Sequence, residues 1–232
     1  MRNERDGAGG AGEEEAVRRL LAARPVMARD LPPFDPAGAP GDPRALFVAW
    51  LAEAADADVL DAGAVTLSTT DGDGLPDARV VALRDVDTRG RWVFASDEGS
   101  PKGRQLAAVP AAAMTFYWPA QGRQVRVRGP VERAAGEVAE QEFMSRSPLS
   151  RAAGLVARQS EPLASPGDFA RALADARQRL AEHPGEIAPG HTVWRLRATA
   201  VEFWQGEKGR GHVRLRYERG EADHWSRGLL WP

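Results

Sequence analysis

The chain has 232 residues, of which 43% are hydrophobic and 28% charged, a composition typical of a globular protein. The absence of cysteine excludes disulfides, thiolate nucleophiles, iron–sulfur clusters and cysteine-ligated zinc. The 31 basic and 33 acidic side chains give a net charge of −2, which provides no global field for nucleic acid or an anionic membrane, so any anion must be bound by a local cluster of cations.

The first part of the chain, residues 1–41, mixes glycine, alanine, proline and charged residues without sustained periodicity. This pattern predicts a mobile N-terminal arm, disordered in its first half, in front of one folded domain over residues 42–232. The sequence begins without the apolar stretch of a secretory signal, and it has no run of ~20 apolar residues that would span a membrane. We therefore expect a soluble cytoplasmic protein.

The first predicted helix begins after Asp42, a capping residue followed by proline, and continues to Asp56 with apolar residues at helical spacing. Short strands joined by short links follow it. They cover residues 64–70, 78–84, 91–95, 112–118 and 124–132, with a turn at 71–74 and a short helix between Ser100 and Pro110. Five strands without long helical crossovers indicate an antiparallel barrel or sandwich rather than a doubly wound parallel sheet.

Helical patterns return in the second half of the chain. They are predicted at residues 136–146 and 169–183, with a weaker one at 151–159, so inserted helices occupy about 136–183. Strand character resumes over 193–204, where the strand is broken or bulged, and 212–217 and 225–231 complete the sheet. The predicted class is mainly β with flanking helices (α+β).

Several familiar functional motifs are either absent or lack the structural context that they need. Residues 7–12 match the dinucleotide pattern G-x-G-x-x-G, but no strand precedes them, so we interpret them as low-complexity tail. The four histidines have no metal-ligand spacing, and we predict no metal site. A nucleophile elbow and a phosphate-binding Walker loop are also missing, so the chemistry must come from a cofactor or from other side chains.

Four stretches, taken in order, carry a family resemblance. They are Arg79–Arg84 (RVVALR), Ser100–Leu106 (SPKGRQL), Tyr117–Val127 (YWPAQGRQVRV) and Glu202–Tyr217 (EFWQGEKGRGHVRLRY), with Arg158–Glu161 (RQSE) between the third and fourth. The sequence resembles the pyridoxamine 5'-phosphate oxidases, including their relatives in phenazine biosynthesis, from about Asp42 to Pro232. Each stretch alone is weak, and their common order makes the resemblance specific.

The resemblance implies an antiparallel FMN-binding split β-barrel that forms a homodimer, with one FMN at each subunit interface and residues from both chains in each site. It implies that Arg79 and Lys102 contact the FMN phosphate. The other cofactor positions that it implies are Val80, Val81, Leu83, Arg84, Ala95, Ser96, Gln124, Gln159, Ser160, Trp204 and Arg214. For the substrate it implies Arg84, Arg146, Ser150, Arg210 and His212, of which Arg210 and His212 are the catalytic pair beside the flavin face.

Elementary electrostatics supports part of this assignment. Lys102 falls in the first turn of its predicted helix, where a lysine is unfavourable unless an anion is bound there. The alternative to cofactor binding is that Arg79 and Lys102 are ordinary solvated surface cations. The same alternative applies to the polar strand face that carries Gln124. Packing beside Phe203 is the alternative for Trp204, and Arg146 could simply complement a helix C-terminus.

Two departures from the family pattern concern the substrate. Arg84 stands where the family usually has lysine, and Glu142 stands where a tyrosine is expected, four residues before Arg146. A carboxylate beside a phosphate site repels the ligand unless it turns outward or pairs with Arg146. Glu142 therefore bears on the choice of substrate and leaves the expectation of FMN unchanged.

The leading hypothesis is oxidation of pyridoxamine or pyridoxine 5'-phosphate to pyridoxal 5'-phosphate, with hydride transfer to FMN and reoxidation by dioxygen, which gives hydrogen peroxide. A second hypothesis keeps FMN and changes the substrate to a phenazine-like precursor. A third is a non-catalytic flavin-binding protein. The charge balance indicates no nucleic-acid or membrane partner.

Overall fold

The computed structural model describes residues 7–232, with side chains from residue 12 onward. The helices are α1 (Gly7–Ala23), α2 (Pro43–Asp56), α3 (Pro101–Ala108), α4 (Gly136–Met144), α5 (Pro148–Val156) and α6 (Pro166–Glu182). The strands are β1 (Ala64–Thr70), β2 (Pro76–Val86), β3 (Arg91–Asp97), β4 (Ala111–Trp118), β5 (Arg123–Arg133), β6 (His191–Arg197), β7 (Ala200–Gln205), β8 (Val213–Arg219) and β9 (Trp225–Leu230). Within these residues, none of the helices has the length and hydrophobicity needed to traverse a lipid bilayer.

The strands form one antiparallel sheet in the order β4-β1-β2-β3-β6-β5-β7-β8-β9, and pairing of β4 with β5 closes the first six into a barrel. Strand β5 divides between two neighbours, because residues 123–128 pair with β7 while 131–133 pair with β6. The two regions meet at Gly129, where a Cβ would overlap the carbonyl oxygen of Arg197. The predicted antiparallel split barrel is confirmed.

The barrel interior is filled by aromatic and branched side chains that alternate with outward-facing residues along the strands. Helix α2 packs into this core through Phe47 and Trp50, whose rings lie 4.9 Å from Phe116 and 5.2 Å from Phe203 between centroids. Each fully buried aromatic ring contributes on the order of 1.5–3 kcal/mol. The core thus fixes the strands from which the site residues project.

Helices α4, α5 and α6 lie together on one side of the barrel. Helices α5 and α6 share a second small core with Phe143 and Ala188, and α4 packs on β6 through Ala139 and Val193. The predicted inserted helices are therefore present, and they form the outer wall of a cleft against the barrel.

The predicted helices and strands of the folded domain are all present, with ends that differ by a few residues; the single broken strand over 193–204 is resolved into β6 and β7. One detail differs from the prediction: the first half of the arm was expected to be disordered, whereas Gly7–Ala23 is helical. Good helix formers such as Glu13–Glu15 and Arg18–Leu21 explain the helix, and Glu14 pairs with Arg18 at 3.3 Å. The mobility of the arm remains a prediction.

Candidate functional site

A cleft of about 1020 Å³ lies between the barrel and the helices. One wall consists of residues from β2, β3 and α3, and the other comes from the α4–α5 junction, α5, α6 and the loop after α5. Predicted site residues in the lining are Arg79, Val80, Val81, Arg84, Ala95, Ser96, Lys102, Arg146, Ser150, Gln159 and Ser160. The volume is that of a site for a small molecule or a cofactor.

Arg79 is held in the barrel wall by a set of oxygen acceptors. Its guanidinium donates to Thr69 Oγ1 at 2.6 Å, to the Leu67 carbonyl at 3.2 Å and to Gln105 Oε1 at 3.1 Å, and it pairs with Asp77 Oδ2 at 2.5 Å. These contacts fix the orientation of a side chain that would otherwise sample many rotamers. Arg79 is therefore a fixed positive charge in the cleft.

Lys102 is the second cation of this wall and lies at the start of α3. Its Nζ donates to Ser100 Oγ at 3.2 Å and to Gln159 Oε1 on the opposite wall. Burial lowers the pKa of Lys102, and repulsion from the positive charge of Arg79 lowers it further. Two neighbouring cations that repel each other on one wall of a cleft create a local field for an anion.

The start of α3 is fixed by its local sequence. Ser100 caps the helix by accepting from the Gly103 amide at 3.2 Å, and Pro101 occupies the first turn. Gly103 is required because a Cβ there would lie 2.5 Å from the carbonyl oxygens of Asp97 and Glu98. The close approach of strand β3 to α3 brings Ser96 into the lining beside Lys102.

On the opposite wall, Glu142 at the end of α4 gathers three cleft-lining side chains. Arg146 donates through Nε and a terminal nitrogen at 3.0–3.1 Å, Arg84 Nε lies 2.7 Å away, and His191 Nε2 lies 2.6 Å away. Glu142 is itself outside the lining and has an exposed side-chain fraction of 13%. Of the two expected arrangements, outward rotation or pairing with Arg146, the structure has the pairing.

Glu142 is ionised at neutral pH. Burial raises its pKa, but hydrogen bonds from His191 and Arg146 and the charges of Arg146 and Arg84 outweigh burial, and the pKa falls from 4.5 to about 2. An ionised carboxylate only accepts hydrogen bonds, so His191 Nε2 carries the proton in this contact. Nothing in the sequence marks His191 as a site residue, because it lies 49 positions from Glu142 and outside every motif.

Three other predicted residues form a row across β5, β7 and β8, where the sheet continues beyond the six strands of the barrel. Gln124 on β5 is in register with Trp204 on β7, which is in register with Arg214 on β8. Arg214 is held by Glu202 Oε1 at 3.0 Å and by the Trp231 carbonyl at 2.8 Å. The Trp204 ring contacts the ring of His212, with 4.8 Å between centroids. These residues make a second cluster, which we call the sheet cluster: Gln124, Trp204, His212 and Arg214.

The tautomer of His212 is set by the backbone. Its Nδ1 accepts a hydrogen bond from the Glu207 amide at 3.0 Å, so a neutral His212 must carry its proton on Nε2. Arg210 lies in the same loop with a φ of 68°, an uncommon backbone conformation for arginine. The loop thus presents a guanidinium and an imidazole N–H from positions two residues apart.

The predicted site residues therefore fall into two groups within one subunit. The sheet cluster and Arg210 do not belong to the lining of the cleft. Leu83 does not line it either, and its side chain packs against the barrel core. The family resemblance implies one site with residues from both chains of a dimer, and a single subunit assembles only the first group.

The chain matches two family profiles. Residues 51–205 match one described as pyridoxamine 5'-phosphate oxidase, and residues 191–232 match one described as pyridoxine 5'-phosphate oxidase C-terminal dimerisation region. Among curated relatives, the pyridoxine/pyridoxamine 5'-phosphate oxidase of Thermosynechococcus vestitus is 41% identical, with 82% of this chain and 89% of the relative covered. The enzyme of the same name from Chromohalobacter salexigens is 37% identical, with coverages of 84% and 90%.

Two solved structures are similar over most of the chain. PhzG from Burkholderia lata, in complex with tetrahydrophenazine-1-carboxylic acid, has a TM-score of 0.80 and 28% identity, and the match covers 88% of this chain and all of the other. A pyridoxamine 5'-phosphate oxidase-related, FMN-binding protein from Nostoc punctiforme has a TM-score of 0.68 and 19% identity, and the match covers 84% of this chain and all of the other. The second similarity concerns the fold alone.

Proposed function

The chain belongs to the pyridoxamine 5'-phosphate oxidase family, and from that premise we propose that it is an FMN-dependent oxidase of pyridoxamine and pyridoxine 5'-phosphate. The carrying observation is that one cleft contains two cationic pairs. Arg79 and Lys102 form the first on the barrel wall, and Arg84 of β2 and Arg146 of the α4–α5 junction form the second, where both contact Glu142. Two separate cationic pairs suit two phosphate groups, one of the cofactor and one of the substrate.

The residues of the barrel wall fit the phosphate of FMN. Arg79 is fixed by four acceptors, and the pKa of Lys102 is lowered by burial and by Arg79, so a bound dianion would relieve their repulsion. Ser96, Gln159 and Ser160 add polar groups along the same cleft. When bound, FMN would supply a two-electron acceptor that takes hydride from the substrate C4' carbon and passes the electrons to dioxygen, which gives hydrogen peroxide.

The end of the cleft beside Glu142 fits the substrate phosphate. Arg146 and Arg84 converge on this end of the cleft, and Ser150 lies in the first turn of α5, where backbone amides favour anions. We propose that these groups bind the phosphate and so orient the pyridine ring. Orientation is a large part of what a protein contributes to a reaction whose chemistry belongs to its cofactor.

A homodimer accounts for the division of the site residues. The chain carries the family's dimerisation region at residues 191–232, and Trp204, Arg214, Arg210 and His212 all lie within it. We propose that the sheet cluster and Arg210 of one subunit complete the cleft of the partner. In the completed site, His212 would donate from Nε2 and Arg210 would supply a fixed charge next to the substrate.

The direct test is turnover by purified protein loaded with FMN. Addition of pyridoxamine or pyridoxine 5'-phosphate should reduce the flavin without oxygen, and should release hydrogen peroxide and pyridoxal 5'-phosphate in air. The amine substrate should also release ammonia, because water hydrolyses the imine that loss of the hydride leaves. A yellow protein whose flavin neither phosphate reduces would contradict the proposed reaction. It would favour a non-catalytic flavin-binding protein instead.

The similarity to PhzG supports a second candidate, oxidation of a reduced polycyclic carboxylic acid. The observation that favours it is the pairing of Glu142 with both substrate-side arginines, which reduces the positive charge available to a phosphate. Expression in a bacterial strain that lacks its own B6-phosphate oxidase separates the two reactions. Restored growth supports the B6 phosphate, and failure of a well-expressed, flavin-loaded protein to restore growth supports the polycyclic acid.

A further inference from the structure

One carboxylate lies directly behind the substrate-side arginines. Glu142 is bound by Arg146 at 3.0 Å, by Arg84 at 2.7 Å and by His191 at 2.6 Å, although it does not line the cleft itself. The three cleft-lining side chains come from three different elements, the α4–α5 junction, β2 and β6. Their common partner is therefore a single buried negative charge.

We propose that Glu142 determines specificity by limiting how much negative charge the substrate-side subsite accepts. This inference rests on the proposed function, because it concerns the subsite assigned there to the substrate phosphate. Glu142 cancels one of the two positive charges of Arg84 and Arg146, so the subsite favours a singly charged anionic group over a doubly charged one. A phosphate monoester carries about −1.5 to −2 charges at pH 7, whereas a carboxylate carries one.

The geometry determines how Glu142 acts. The Nε atoms of both arginines face the carboxylate, together with one terminal nitrogen of Arg146. The exposed fractions of 37% for Arg84 and 22% for Arg146 leave both guanidinium groups accessible from the cleft. A ligand can thus contact the arginines while the carboxylate stays behind them, and it then experiences the carboxylate as a nearby like charge.

The carboxylate is a permanent part of this subsite. It is buried, it is held by three residues, and its hydrogen bonds keep it ionised. Dissolved salt screens the interaction between two exposed charges over about 8–10 Å. The interaction between partly buried charges in contact, such as Glu142 and its arginines, is screened much less. The subsite therefore has a fixed charge balance that the ligand has to match.

The test compares two ligands that differ only in the phosphate group. Pyridoxal 5'-phosphate and pyridoxal are titrated into the flavin-loaded protein, and the dissociation constants are read from the flavin spectrum. Glu142→Gln removes the charge and keeps the shape, and Glu142→Tyr introduces the residue that the family pattern places there. Glu132→Gln is the matched control, because Glu132 also pairs with an arginine, Arg91 at 2.6 Å, but lies outside the cleft.

Both Glu142 variants should bind pyridoxal 5'-phosphate about fivefold or more tightly than the unchanged protein, as expected for removal of a like charge near a partly buried anion. Their affinity for pyridoxal should stay within twofold, and Glu132→Gln should alter neither constant. The same gain should appear as a lower KM for pyridoxamine 5'-phosphate. Glu142→Tyr gives the answer if Glu142→Gln does not fold.

Three results would overturn the inference: weaker or unchanged binding of pyridoxal 5'-phosphate by the variants, equal changes for both ligands, or no binding of the phosphate by any protein. Equal changes would mean that Glu142 only holds the wall in shape. The proposed reaction is tested separately by turnover. If the variants bind pyridoxal 5'-phosphate more tightly but no protein turns over the substrate, the proposed reaction is rejected and the charge role of Glu142 stands. If the protein turns over the substrate but the variants have unaltered affinities, the reaction stands and the charge role of Glu142 is rejected.

Discussion

Glu142 and His191 are 49 residues apart in the sequence, yet Glu142 Oε2 and His191 Nε2 are 2.6 Å apart in the structure. The contact joins the end of α4 to the start of β6, and so it ties the helical wall of the cleft to the barrel. His191 is almost fully buried, with 5% of its side chain exposed, and its ring lies 5.0 Å from that of Phe143. The width of the cleft thus depends on a polar contact as well as on the small core of α5 and α6.

The first prediction concerns stability and pH. Glu142 has its pKa lowered from 4.5 to about 2 in the folded state, so the unfolded chain binds more protons between these values. The stabilisation is complete above about pH 4.5 and is lost as the pH falls toward 2. Glu142→Gln should lower the free energy of unfolding at pH 7 by about 1–3 kcal/mol, and the difference from the unchanged protein should narrow between pH 4.5 and 3.

Urea unfolding at one protein concentration and several pH values measures this difference, and the fixed concentration removes the effect of dimerisation. Glu132→Gln serves again as the control, since the side chain of Glu132 is half exposed and its pair with Arg91 should contribute only about 0–1 kcal/mol. A destabilisation of Glu142→Gln that is the same at pH 3 and pH 7 would show that the charge of Glu142 does not stabilise the fold.

Much of the fold follows from local sequence. Asp42 and Ser100 cap α2 and α3 as their positions before proline predict, and both caps are formed by side-chain hydrogen bonds. The strand-forming residues of Ala64–Thr70 likewise predict β1 with its exact ends. Barrel closure was not predictable from residues alone, because the pairing of β4 with β5 and the divided pairing of β5 depend on contacts between distant strands.

The site was predicted less completely than the fold. Arg79 and Lys102 belong to conspicuous stretches, and the structure does bring them to one cleft. The acceptors that orient Arg79, Thr69 and Gln105, come from β1 and α3 and lack any motif that links them to it. His191 was missed for the same reason, since a partner 49 residues away is determined by packing and not by spacing.

The second prediction concerns FMN affinity. Lys102→Ala should weaken FMN binding by about 10- to 100-fold, the usual value for loss of one charge-assisted hydrogen bond. Lys208→Ala is the control, because it removes the other lysine of the chain, which pairs with Asp30 at 3.5 Å on the surface. Fluorescence titration of free FMN measures both constants. Equal affinities of the two variants for FMN would show that Lys102 does not contact the FMN phosphate.

Lys102 also gives the affinity a pH dependence. Burial and the charge of Arg79 lower its pKa below 10.5, so the empty site loses this cation at a lower pH than an ordinary lysine would. FMN affinity should therefore fall in the alkaline range before pH 10.5, and Lys102→Arg should abolish the fall because arginine keeps its charge. An unchanged alkaline profile in Lys102→Arg would assign the fall to another group.

The third prediction concerns His212. Its Nδ1 accepts from the Glu207 amide, so the neutral ring should carry its proton on Nε2, and nitrogen-15 NMR of labelled protein should report that tautomer. His212→Ala should lower kcat/KM by about 100-fold or more, as for loss of a positioned proton donor. His224→Ala, at an exposed position, should leave it unchanged. A proton on Nδ1 would contradict the backbone contact.

The fourth prediction tests whether two subunits share each site. Lys102 lines the cleft of one subunit, whereas His212 lies in the dimerisation region and outside that cleft. At an FMN concentration that fills the unchanged protein but not Lys102→Ala, the Lys102→Ala and His212→Ala homodimers should each be nearly inactive. If each site combines the cleft of one subunit with the sheet cluster of the other, a mixed dimer has one site with both substitutions and one with neither.

Unfolding and refolding an equal mixture of the two variants should then restore about a quarter of the unchanged activity, because half of the dimers are mixed and each has one intact site. Refolding each variant alone gives the background, and refolding the unchanged protein corrects for yield. Activity in the mixture no greater than this background would mean that Lys102 and His212 act within one subunit. The row of Gln124, Trp204 and Arg214 would then need a role that does not depend on the partner.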